Sequence, residues 1–179
     1  MSVKLIWLFS MLITKQALIY FAISIKISWI VMVLFYTPLL FVLCLAMNIF
    51  GLAYFFKKSI LPLSIIAIFG MSLDSIWHLT GLINFEHATI FPLFLLPIWL
   101  SYSVFILYFF KRFERFKLAL PVIFSILNLI SFMIGIELGG SIVYSDMYYV
   151  ATLTGWLLMG FMILNIKESQ FKLSTKTLI

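Results

Sequence analysis

Charge is scarce in this chain. Only 10% of its residues are Asp, Glu, Lys or Arg, where soluble proteins carry roughly 25%, and its mean hydropathy is +1.22. A water-soluble domain is thereby excluded. Cysteine is scarcer still. Cys44 stands alone, which excludes a disulfide framework and any cysteine-rich metal site; its place inside an apolar run suits a small core residue. Two histidines and no His-Glu-x-x-His pattern leave a metal site without its usual ligand spacing. There is also no Gly-x-Ser-x-Gly elbow, no glycine-rich phosphate loop and no ATP-hydrolysing module. If the chain drives transport, the energy comes from a gradient or from another subunit. No cofactor and no metal are expected.

Long apolar runs are what the chain does have. A helix crossing the hydrocarbon needs about 20 mainly apolar residues. Six such runs occur, at residues 17–36, 39–56, 60–80, 92–110, 118–138 and 147–166, with short connections. Residues 1–16 read as an interfacial lead-in able to extend the first run, and residues 167–179 as a polar cytoplasmic tail. Thr37-Pro38 marks a tight turn, because the residue before proline is pushed away from helical angles. The expected fold is all-α: a polytopic membrane protein of six transmembrane helices, with residues 17–166 as its membrane domain.

The cations are distributed with a sign. Eleven of the twelve fall in the N-terminal segment, the 57–58 loop, the 111–117 loop and the tail, while the three alternate loops contain no Lys or Arg. The positive-inside rule then predicts both termini in the cytoplasm. The net charge of +6 is accounted for by this asymmetry, so no nucleic-acid partner is expected. The 111–117 cluster reads as a solvated or headgroup-facing loop.

The twelfth cation, Lys26, lies within the first run, and Asp74 and His78 lie within the third. A charged side chain near mid-bilayer costs roughly 2.5–3.5 kcal/mol on insertion scales, so it is seldom there without a partner or a purpose. Gly70, Asp74, Trp77, His78 and Gly81 share one helical face. An i,i+4 Asp–His pair can hydrogen-bond, orient an imidazole, relay a proton or hold two corners of a metal site; equally, Asp74 can simply join helices. Lys26 is the expected opposite-charge partner of Asp74. The fifth run sets Ser125, Asn128, Ser131, Gly135 and Gly139 on one small-polar stripe, which fits close packing as well as a binding wall. Glu137 points about 200° away from that stripe and reads as interfacial. Tyr144, Tyr148, Tyr149 and Trp156 fit an aromatic belt and packing.

Three pieces in order, Gly70-x-x-x-Asp74-Ser75, Pro97-Ile98-Trp99, and Ser131-Phe132-x-x-Gly135 leading to Gly139-Gly140, resemble the small bacterial inner-membrane proteins of the "domain of unknown function 2878" family. The resemblance covers residues 17–162. It implies a multi-pass inner-membrane location and a slight lean toward lipids, and implies no established reaction.

Three functions stay open at this point. The first is a binding or transport subunit that takes a small or lipid-like molecule in a polar pocket among the first, third and fifth helices, open to the outside. Its candidate residues, for ligand binding or proton handling, are Asp74, His78, Lys26, Trp77, Asn128 and Ser131. The second is a membrane-embedded lipid-modifying enzyme using Asp74 and His78 as acid and base. The third is a structural subunit with a membrane-protein partner. All three share the lipid bilayer as a partner.

Overall fold

The computed structural model describes residues 3–85, 91–116, 118–137, 141–143 and 145–165; for residues 3–14, 33–34, 58, 111–112, 114 and 141 it describes the backbone alone. Six α-helices run α1 Val3–Leu34, α2 Pro38–Phe55, α3 Ile60–Leu79, α4 Leu96–Arg112, α5 Leu120–Glu137 and α6 Met147–Leu164. Each contributes a segment long and apolar enough to cross a bilayer. The chain is a multi-pass membrane protein of six helices. The expected fold class is the observed one.

Local sequence explains the helix ends. At the start of α2, Thr37 sits in extended geometry and its side chain accepts a hydrogen bond from the Leu40 N–H, with Pro38 at the first helical position. At the end of α3, the Gly81 N–H donates to the His78 carbonyl and the Leu82 N–H to the Trp77 carbonyl. Gly81 has φ +72°, the left-handed angle that glycine adopts at no steric cost, and the two bonds complete a Schellman stop. In α4, Pro97 falls in the first turn, where its missing N–H is harmless, and a 3-10 turn, Leu93–Leu95, leads into it. The run expected from residue 92 therefore becomes an α-helix only at Leu96.

Two features add to the expected fold. Residues 3–16 continue the first spanning helix without a break, so α1 is about 48 Å long and outreaches a hydrocarbon core of about 30 Å. The loops after the third and fifth runs also pair with each other. Strand β1, Ile83–Phe85, lies antiparallel to β2, Ser141–Val143, with Asn84 opposite Ile142. This short sheet ties the segment after α3 to the segment before α6.

The bundle is centred on α4. It packs against α1, α2, α3 and α6 and is the most buried of the six spanning segments. The other main contacts are α5 with α6, α1 with α2 and α3 with α6. Without a hydrophobic driving force between helices in lipid, small residues and interhelical hydrogen bonds hold such bundles together. Here Ser28, Asn48 and Ser101, all fully buried, join α1, α2 and α4. Asn48 Nδ2 donates to Ser28 Oγ at 3.2 Å, and Ser101 Oγ donates to Asn48 Oδ1. Tyr20 donates to the Met47 carbonyl, and Ser125 to the Leu153 carbonyl, joining α1 to α2 and α5 to α6.

Candidate functional site

Asp74 is seated by its own helix and by α4. Its Oδ2 accepts a hydrogen bond of 2.7 Å from Trp99 Nε1. One turn earlier, a Cβ on Gly70 would lie 2.1 Å from Trp99 Cζ3, so only glycine lets the indole lie across α3. Gly70-x-x-x-Asp74 is thus a seat for Trp99: the glycine makes room for the ring and the carboxylate takes its N–H. Asp74 is 1% exposed. Its other oxygen, Oδ1, has no partner among the described residues.

Beside it lies a cavity of about 550 Å³, within the 300–1,000 Å³ range of small-molecule sites. Trp29 on α1, Trp99 and Tyr102 on α4, Phe132 on α5 and Trp156 on α6 supply aromatic walls. Trp99 and Trp156 are stacked, with centroids 5.2 Å apart, and Tyr102 meets Trp156 edge-on. Tyr102 donates its hydroxyl proton to Asn128 Oδ1, while Asn128 Nδ2 donates to the Phe124 carbonyl. The exposed members of the lining, Lys26 on α1 with Ser131 and Ile134 on α5, mark the open side. A second, shallower groove on the opposite side of α3 offers no such group, because Ser72 and Ser75 each donate to the carbonyl four residues back.

Of the six candidate residues, Asp74, Lys26, Asn128 and Ser131 line this one cavity. The expected pairing of Asp74 with Lys26 is not made: the carboxylate bonds to Trp99 instead, and its second oxygen bonds to no atom of the described residues. His78 lies outside the cavity lining, half-buried against β1, where Nδ1 accepts from the Phe85 N–H at 3.4 Å. Trp77 is core, packed on Phe132, Tyr148 and Trp156. The stripe on α5 divides, with Ser125 and Asn128 buried and Ser131 exposed; Glu137 is exposed too. Tyr148 and Trp156 are buried inside the bundle rather than placed in a belt, while Tyr149 is exposed. Gly139 and Tyr144 lie outside the described residues. No cluster of three or more metal-ligating side chains occurs among the described residues.

Trp29, Trp99, Tyr102 and Trp156 were not among the candidates. The readable signal was in Trp99 and Tyr102, two amphipathic rings three residues apart in a mid-span helix where water cannot satisfy them.

A family model described as "Protein of unknown function (DUF2878)" matches residues 16–162. The chain belongs to the DUF2878 family. The match spans all six transmembrane segments save the first residue of α1's segment and the last two of α6's. The described residues of the three sequence pieces behind the resemblance meet at the cavity: Gly70 and Asp74 seat Trp99, and Ser131, Phe132 and Gly135 form the α5 wall. No curated protein and no solved structure matches this DUF2878 chain.

Proposed function

We propose that this DUF2878 protein binds a small amphipathic or lipid-like molecule in the Asp74 cavity and carries it across, or presents it within, a bacterial inner membrane. One observation carries the reading: a carboxylate 1% exposed, one oxygen held by Trp99 and the other unpartnered among the described residues, beside an aromatic-walled cavity of about 550 Å³. An orphaned acceptor in hydrocarbon is costly, about 1–3 kcal/mol for a buried group, and a ligand hydroxyl or amine donating to Oδ1 removes that cost. Aromatic faces suit the ligand's apolar body. The open side between the apolar helices α1 and α5 supports entry from the lipid, with the Lys26 ammonium at the rim. The cation distribution supports a cytoplasmic placement of both termini, which turns the β1–β2 end outward.

Native mass spectrometry of the gently extracted protein tests this. The parent should retain an adduct, while Asp74→Asn, in which one oxygen becomes a donor, should retain markedly less at unchanged helicity. Equal adducts in the parent, Asp74→Asn and Trp29→Ala would overturn the cavity as the binding site.

A further inference from the structure

Four buried polar atoms on α3 and α6 have no partner among the described residues: Asp74 Oδ1, Tyr148 Oη, Thr152 Oγ1 and Trp156 Nε1. Their residues are at most 1% exposed. Tyr148, Thr152 and Trp156 are spaced by four, so they form one stripe along α6. That stripe faces α3, because Trp77 packs against both Tyr148 and Trp156 and Trp156 borders the Asp74 cavity. The Tyr148 hydroxyl lies near that of Thr152 and within electrostatic reach of Asp74, yet neither hydroxyl is in hydrogen-bond geometry.

Thr152 breaks a local rule. Helical hydroxyls in apolar surroundings normally return to the carbonyl four residues back, and Ser72, Ser75, Ser131 and Thr154 all do so. Thr152 does not. The four atoms also make a complementary set: one carboxylate acceptor, one indole donor, and two hydroxyls that both donate and accept. A bridging water needs two to four such partners.

We propose that α3 and α6 enclose a polar seam, closed to water at rest because its side chains are at most 1% exposed, that hydrates transiently and then passes protons between the β1–β2 end of the bundle and Asp74. The seam begins at Tyr148, in the first turn of α6. Asp74 lies five residues from the end of α3 at Leu79, roughly 8 Å in from the same end. A proton arriving from bulk water adds to a lone pair of a seam water or hydroxyl, that oxygen releases its original proton onward, and the last transfer forms the O–H bond at Asp74 Oδ1. Release runs the same steps backward. Trp156 N–H only donates, so it anchors a water and relays nothing.

The other titratable groups around Asp74 are few. Lys26 on α1 stands at the cavity rim, Tyr102 on α4 has its proton engaged by Asn128, and His78 one turn along α3 meets Phe85. Among the described residues α5 offers the cavity no titratable side chain, its polar members there being Asn128 and Ser131.

The seam stands whichever molecule the cavity takes. It is tested by infrared spectroscopy of the full-length protein in bilayers, titrated and then switched from H2O to D2O. A protonated-carboxyl band absent from Asp74→Asn should appear in the parent on acidification. Its deuterium exchange should slow by about tenfold or more in Thr152→Val and in Tyr148→Phe, the rate equivalent of one lost hydrogen bond in the relay. Tyr102→Phe, on the cavity side, should exchange at the parental rate. The proposal is overturned if no Asp74 band appears, if Thr152→Val and Tyr148→Phe both exchange at the parental rate, or if Tyr102→Phe alone slows exchange. Both seam variants are near-isosteric and delete a group without a partner among the described residues, so they should fold as the parent does.

Discussion

At the scale of single residues, three side chains decide where the carboxylate sits. Gly70, Asp74 and Trp99 form a unit in which the glycine hydrogen is as necessary as the carboxylate, since a methyl group would lie 2.1 Å from the indole. Gly70→Ala should therefore displace Trp99 and leave both Asp74 oxygens without a partner. Overpacking of this kind costs about 1–3 kcal/mol, read as a lowered midpoint of thermal unfolding in detergent. In a Trp99→Leu background the same substitution should cost far less, because the ring that clashes is gone. Equal losses in both backgrounds would mean that Gly70 does something other than seat Trp99.

At the scale of elements, α4 ties the bundle together, and the Asn48 knot is its link to α1 and α2. Asn48→Ala removes the shared partner of Ser28 and Ser101, whereas Ser101 keeps a second acceptor in the Pro97 carbonyl at 3.3 Å. The expected loss is about 1–2 kcal/mol, in line with interhelical hydrogen bonds in model membrane systems. A measured loss near zero in bilayer-based unfolding would place the stability of this corner in packing alone. The six spanning helices were legible beforehand because an apolar run is a local property, as was the turn at Thr37-Pro38. What was not legible depends on distant partners. The bond from Trp99 to Asp74 crosses 25 positions, and β1 meets β2 through three-residue strands that carry almost no pattern of their own. For the same reason Asp74 seemed to need Lys26: charge complementarity can be read along a chain, whereas an indole N–H reaching a carboxylate requires the helix packing. Asn48 carried a readable signal, a lone amide in the middle of an apolar run, but its two serine partners become evident only in the packed bundle.

At the scale of the whole molecule, orientation determines which compartment Asp74 answers to. The carboxylate lies nearer the end of the bundle that bears β1 and β2, and the proposed seam opens toward that end. Lys and Arg are absent from all three loops at that end of the chain's path and concentrated in the loops at the other, so the positive-inside rule predicts that the β1–β2 end faces away from the cytoplasm. Single cysteines placed at two exposed positions, Asp146 before α6 and Lys57 after α2, report this directly when the buried Cys44 is first replaced by alanine. In sealed membrane vesicles of known sidedness, a membrane-impermeant maleimide should label Asp146→Cys from the face away from the cytoplasm and Lys57→Cys only from the cytoplasmic face. Labelling of both from one side would contradict six crossings. Labelling with the sides exchanged would keep the fold and the cavity but reverse the direction from which protons reach Asp74, so that a proton gradient would load the carboxylate from the opposite compartment.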